Sequence, residues 1–195
     1  MSKKIILHNV RLSYEHIFTP SSFDDSQEPK YNATFIIPKE HADAPALRKV
    51  LYEVGQEKYP TAFSGKGWPA GFTCALKDGD KDTDQEGVLL GEKNPEYAGC
   101  YVIRADSTRR PVTIDRKKAA VTEADGVIYS GCYVNVSLGV STYEFGKVKK
   151  GVKCYLNGVQ FNADGERFGS DALSDFDSLD GGDDDDFLDG CNIPF

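Results

Sequence analysis

Two stretches of the chain set aromatic rings among cations. Residues 97–118, YAGCYVIRADSTRRPVTIDRKK, carry Tyr97, Tyr101, Arg104, Arg109, Arg110, Arg116, Lys117 and Lys118. Residues 133–155, YVNVSLGVSTYEFGKVKKGVKCY, surround Lys147, Lys149, Lys150 and Lys153 with Tyr133, Tyr143, Phe145 and Tyr155. Holding unpaired nucleic acid without reading its sequence needs both ingredients: cations that follow the phosphates and flat side chains on which bases stack. The phosphate candidates are Arg104, Arg109, Arg110, Lys147, Lys149, Lys150 and Lys153, and the stacking candidates are Tyr101, Tyr133, Tyr143 and Tyr155. Strand alternation puts Tyr133 opposite an apolar row and Tyr101 on the same face as Ile103, so Tyr133 ranks as the better platform. The same residues also suit an ordinary hairpin surface, where Tyr pairs across strands for structural reasons alone.

Other chemistry is weakly represented. Asp78, Asp80, Asp82 and Asp84 stand at alternate positions, as in a calcium loop or a two-metal nuclease site. A calcium loop starting at Asp78 would want Gly where Thr83 stands and Glu where Leu89 stands, so a solvated acidic loop is the better reading. His8, His16 and His41 share no spacing with a Ser or Cys nucleophile, and His8 is read as partly buried on its strand. No GxxxxGK[ST] or GxGxxG motif occurs. The sequence therefore predicts a binder and not an enzyme, with no metal and no cofactor. The rivals are a metal-dependent nuclease built on Asp78–Asp84, and a β-rich adaptor that works only through its tail.

The elements that must position the cations and rings are mostly strands. Residues 4–14 and 30–37 are rich in β-branched and aromatic residues and flank a polar loop with Pro20, Ser21, Ser22, Asp24 and Asp25. Leu47, Val50, Leu51 and Val54 have the spacing of one buried helical face, predicting a helix over 44–58 with Asp43 as its cap and Gly55 weakening its end. The region 59–99 reads as loop with a short strand near 72–76. Strands return at 100–106, 111–115, 132–141 and 152–161, the last two joined by a loop carrying Gly146, Lys147, Lys149, Lys150 and Gly151. In 132–141, Cys132, Val134, Val136, Leu138 and Val140 face one way, and Tyr133, Asn135, Ser137, Gly139 and Ser141 the other. Five or more strands with one or two helices and long connections predict a mainly β protein: an OB-fold, a five-stranded Greek-key barrel with long loop or hairpin insertions.

Charge divides the chain. Of 31 acidic residues, nine lie in 170–195, where there is no Lys or Arg, so the formal charge of -8 belongs to the tail and the body is near neutral. Residues 1–169 are predicted to form the folded domain and 170–195 a disordered acidic tail, too poor in apolar residues to offset the entropy of ordering. The tail ends in Ile193, Pro194 and Phe195 after the run Asp183, Asp184, Asp185 and Asp186. A terminal aromatic with a free carboxylate suits a pocket on a partner protein, with the acidic run steering it there. The five cysteines show no metal or disulfide spacing, and all but Cys191 read as small buried hydrophobes in a reducing compartment. The apolar run in MSKKIILHNV is too short for a secretory signal or membrane span, which predicts a cytoplasmic protein with no membrane partner.

The tip DDDDFLDGCNIPF closely resembles the acidic tip of bacterial single-stranded DNA-binding proteins, although FLDGCN separates its aspartates from Ile-Pro-Phe. The body instead resembles a family of phage single-stranded DNA-binding proteins with an OB-fold. That likeness is carried by LHNVRLSY (7–14), EPKYNATFIIPK (28–39), KDGD (77–80), DSTRRPVTIDR (106–116), YSGCYVNVSL (129–138) and GVKCYLNGVQ (151–160). Together the two resemblances imply a phage protein that protects single-stranded DNA in replication and recombination, in the host cytoplasm. They also imply that it recruits host or phage replication, recombination and repair proteins through Asp183–Asp186 and Ile193–Phe195.

Overall fold

The computed structural model describes residues 2–22, 28–65, 67–146 and 149–168. In chain order its strands are β1 (Lys3–Ser21), β2 (Lys30–Pro38), β3 (Phe72–Cys74), β4 (Leu76–Asp78), β5 (Cys100–Ser107), β6 (Val112–Ile114), β7 (Tyr133–Phe145) and β8 (Lys149–Ala163). The helices are α1 (Ala44–Lys58) and the one-turn α2 (Leu90–Lys93). The first half of β1 pairs antiparallel with β7 and its second half with β2. β2 pairs antiparallel with β5, β5 runs parallel to β8, and β8 returns antiparallel to β7, which closes a five-strand barrel. This is the mainly β OB-fold that the strand count and connections predict.

The barrel is filled from alternate positions of each strand. Leu7, Val10, Leu12, Phe35, Ile37, Ile103, Val134, Val136, Leu138, Val140, Val152, Cys154 and Leu156 are all buried. On β7 the observed alternation is the predicted one: the Val134 to Val140 row is inside, and Asn135, Ser137, Gly139 and Ser141 are half-exposed outside. α1 has its expected bounds, and Leu47, Leu51 and Val54 join the same core.

β1 serves two neighbours because it bends. Its pairing slips between Leu7 and Val10, where Asn9 takes φ 52°, and again after Ser13, beside Tyr14 at φ 47°. Such bulges turn a strand at a local cost in pairing. The first one turns His8 outward, so this residue is exposed where partial burial was expected. His8 in turn engages Asp43, whose carboxylate accepts from the His8 backbone N–H at 2.8 Å and lies 3.1 Å from its Nδ1. Asp43 therefore ties α1 to β1 and does not cap the helix with its side chain.

Other departures from the expected elements have similar causes. β1 continues through Pro20 and Ser21 because it keeps a pairing to Lys30. The strand expected near 72–76 is split: β3 pairs with β8 and β4 with β5. β7 and β8 run past their expected ends into a long hairpin, where Tyr143 pairs with Gly151 and Phe145 with Lys149, so Lys149 and Lys150 are strand residues. Gly55 lies inside α1, under the Phe63 ring; a Cβ there would come within 2.4 Å of it. Cys132 and Cys154 are buried as expected, whereas Cys74 and Cys100 are only half-buried. Lys147, the tail from 170 onward with its Asp183–Asp186 and Ile193–Phe195 tip, and Cys191 lie outside the described residues. No helix among the described residues is long and apolar enough to cross a membrane.

Candidate nucleic-acid interface

Closing the barrel brings together side chains that are far apart in sequence. Asp106 of β5 stands opposite Tyr155 of β8 in the parallel pairing and opposite Asn32 of β2 on its other side. Over this junction opens a cleft of about 460 Å³ whose walls include Lys4, Lys30, Arg109, Ser141, Lys153 and Tyr155. A second cleft, of about 420 Å³, includes Lys30, Asn32, Arg104 and Asp106. The two share Lys30 and Asp106, so they form one groove across the outer faces of β8, β5 and β2. An apolar hollow with Ile6, Val112 and Ile114 adjoins the first cleft through Lys4 and Asn157; Ile6 is 49 % exposed and Val112 63 %.

Lys153 is the hinge of the local electrostatics. Its ammonium lies 4.3 Å from the centre of the Tyr155 ring and 3.6 Å from the Asp106 carboxylate. Gly139, opposite Tyr155 on β7, leaves the groove floor low: a Cβ there would meet the Asn157 side chain at 3.3 Å. By register, Ser141, Tyr143, Phe145, Lys149 and Lys153 share the outer face of the hairpin. Tyr143 is half-exposed and Phe145 is 75 % exposed, so the row of rings and cations continues from the groove toward the hairpin tip.

The remaining candidates are placed elsewhere. Lys150 is on the opposite hairpin face, its ammonium 5.7 Å from the Tyr59 ring, beside Glu144, which accepts a 2.5 Å bond from the Tyr59 hydroxyl. Burial, and then that carboxylate, push the Tyr59 hydroxyl up to about 12. Arg110 has its guanidinium 6.0 Å from the Phe18 ring. Tyr101 packs against the core, flanked by Lys39 and Arg48. Tyr133 lies under Arg11 and against Gly165, in the chain segment that closes the domain. Of the predicted set, Arg104, Arg109, Lys153 and Tyr155 thus line the groove, and Tyr143 and Lys149 extend it. Lys4, Lys30 and Asp106 are among the lining residues that local sequence did not signal, and each arrives by pairing with a distant strand.

The acidic loop is occupied with its own closure. Asp78 and Asp80 hold Lys39 at 2.6 and 2.5 Å, Asp82 accepts from the Asp78 N–H at 2.6 Å, and Asp84 pairs with Lys93 at 2.6 Å. Among the described residues no group of three or more His, Cys, Asp or Glu converges as a metal site. Lys39, then the Gly99 N–H, holds Asp80 below the usual carboxylate range, and Lys93, then the Val88 N–H, does the same for Asp84. Both pKa values are lower folded than unfolded, so the stability they contribute is full above about pH 4 and lost as pH falls through the folded values. In an acid titration followed by amide NMR, resonances of residues 78–99 should shift below about pH 4 before those of β8, a strand without a carboxylate. Simultaneous change of both sets would show that these ion pairs do not govern the loop.

The comparisons agree with this architecture. The sequence model of the family described as the single-stranded DNA-binding protein of Enterobacter phage Enc34 matches residues 3–188. Protein p50 of Acyrthosiphon pisum secondary endosymbiont phage 1 is 34 % identical over 186 residues, covering 90 % of this chain and 94 % of that protein. The structure of the bacteriophage Enc34 single-stranded DNA-binding protein in complex with single-stranded DNA superposes with a TM-score of 0.66 at 28 % identity, covering 85 % of this chain and 89 % of that one. The single-stranded DNA-binding protein gp2.5 of bacteriophage T7, at 15 % identity, shares the fold with a TM-score of 0.57 over 93 % of this chain and 98 % of its own. With its OB barrel, its groove of cations beside the half-buried Tyr155 ring and a family match over residues 3–188, the chain belongs to the phage single-stranded DNA-binding protein family typified by that of Enc34.

Proposed function

We propose that this protein binds single-stranded DNA along the groove over β8, β5 and β2, as a binder and not an enzyme, and protects it during phage replication and recombination. The observation that carries this reading is the convergence of Lys30, Arg104, Arg109 and Lys153 with Tyr155 on one outer face of the barrel. Phosphates run along the cations, one base stacks at Tyr155, and Tyr143 and Lys149 extend the path along the hairpin. A duplex lacks exposed base faces and gains only the ionic part. Titrating labelled oligo-dT and matched duplex at several salt concentrations tests this. Tight oligo-dT binding, weaker duplex binding and a log–log slope of about −0.7 per phosphate contact support it; no oligo-dT binding at low salt rejects it. Tyr155→Ala should weaken oligo-dT binding by roughly 1–3 kcal/mol while leaving the salt slope unchanged, since stacking is not ionic.

The acidic tail, residues 170–195, has two parts in this proposal. Its tip, Asp183–Asp186 with Ile193, Pro194 and Phe195, recruits replication, recombination or repair proteins. Its charge also competes with DNA for the groove. Phe168 packs against the cluster of Ile36, Tyr97 and Val102, and Val102 lies two residues along β5 from Arg104, so residue 168 is near the groove. Removing 170–195 should therefore tighten oligo-dT binding at low salt and matter less above about 0.3 M, where the screening length is only a few ångströms. Equal affinity of the full and shortened proteins at low salt would count against competition, and unchanged pull-down of host proteins after loss of Phe195 would count against recruitment.

A further inference from the structure

A carboxylate stands in the middle of this cationic groove. Asp106 lines both clefts where they join, its side chain is 36 % exposed, and the charged groups about it are the cations Lys30, Arg104 and Lys153, with Glu28 as a second carboxylate on the wall of the second cleft. In a groove whose ligand is a polyanion, a carboxylate repels a phosphate placed over it. What passes over Asp106 is therefore the other part of the strand, a base edge. Tyr155 makes that placement natural, because it is the direct cross-strand neighbour of Asp106 on the same outer face. A base stacked at Tyr155 presents its edge to the adjoining residue in the parallel pairing.

We infer that Asp106 gives the groove a base preference, selecting guanine over thymine at the nucleotide stacked on Tyr155. A carboxylate only accepts hydrogen bonds. The exposed pairing edge of guanine offers adjacent donors, N1–H and the N2 amino group, which match two carboxylate oxygens. Thymine offers one N–H flanked by two carbonyl oxygens that repel the carboxylate. Asp106 keeps acceptor capacity for this contact, since its ionic partner among the described residues is the Lys153 ammonium at 3.6 Å, beyond a short hydrogen bond. The inference rests on the strand-binding reading and adds selectivity to it.

The test compares three oligonucleotides of equal length with the full-length protein: oligo-dT, the same strand with guanine at alternate positions, and that strand with hypoxanthine in place of guanine. Hypoxanthine keeps N1–H and lacks the amino group. The wild-type protein should bind the guanine strand about three- to tenfold more tightly than oligo-dT, with hypoxanthine between them, a bidentate contact discounted for its exposure. Asp106→Asn should bind oligo-dT more tightly than wild type does and lose most of the preference for guanine. Equal wild-type affinity for all three strands overturns the inference while leaving strand binding intact, whereas no affinity for any of them rejects strand binding itself. If Asp106 serves only to hold Lys153 in place, Asp106→Asn will weaken all three strands by the same factor, and that result also overturns the inference.

Discussion

Lys153→Glu should lower oligo-dT affinity about a hundredfold at low salt. The ammonium it removes sits over the Tyr155 ring and beside Asp106. The substitution deletes one phosphate contact and sets a second carboxylate against the DNA backbone and near Asp106. Between groups this exposed, each of those effects is worth roughly 1–2 kcal/mol, and about 2.7 kcal/mol corresponds to a hundredfold. The log–log salt slope should become shallower by about 0.7, the signature of one lost ionic contact. Lys49→Glu makes the same charge change on the exposed face of α1, where the Lys49 side chain is 76 % exposed and 3.9 Å from Glu53. It reports the effect of net charge alone. Similar losses for the two variants would mean that the overall field of the protein, and not the groove, sets affinity.

Phe63→Ala should cost about 3–5 kcal/mol of folding stability, a large part of what a domain of this size possesses. Phe63 is fully buried and makes edge contacts with Tyr52, Trp68 and Phe72, at ring separations of 5.3, 5.2 and 5.3 Å, beneath the end of α1. Its ring also lies where a side chain at Gly55 would be, at 2.4 Å from an added Cβ. Gly55→Ala then sets two effects against each other. Alanine gains up to about 1 kcal/mol of helix propensity, and overpacking against a ring held on several sides costs about 1–3 kcal/mol. The clash wins, so Gly55→Ala alone should destabilise. In the double variant the new methyl group enters space that the ring has left, so the pair should cost less than the sum of the single changes. Urea denaturation of the four proteins measures this, and strict additivity would show that the Gly55–Phe63 contact is not the constraint.

Both expectations depend on residues that sequence reading weighed unevenly. Lys153 and Tyr155 are two apart on one strand, so their common face follows from the period of two once that strand is recognised. Gly55 was legible only as a weak point in a helix, because nothing near it in sequence says that an aromatic ring eight residues later folds back beneath it. Tyr133 and Tyr101 show how alternation and tertiary packing divide the work. Alternation assigned Tyr133 to the outer face and Tyr101 to the face of Ile103, and both assignments agree with the burial of their neighbours. Whether an outer face is open is another matter, and at Tyr133 it is covered by Arg11 and the turn of chain at Gly165.

The sequence by itself determined the features that arise from neighbours along the chain. These are the inward row from Val134 to Val140, the apolar stripe of α1, the reading of 59–99 as mostly loop and the concentration of acid in 170–195. Each depends on a local period or composition, and burial of one face is enough to select it. Tertiary structure alone decided which cations share a surface. Lys4 reaches the groove because β1 pairs with β7, Lys30 because β2 lies beside β5, and Asp106 because β5 runs parallel to a strand some fifty residues later. It also turned Lys150 away from Lys149 and Lys153 by extending the hairpin, and it committed the four aspartates of 78–84 to holding their own loop closed. The physical reason is that barrel closure is a property of strand partners and register. Nothing in the period of a single strand records which distant strand will lie beside it.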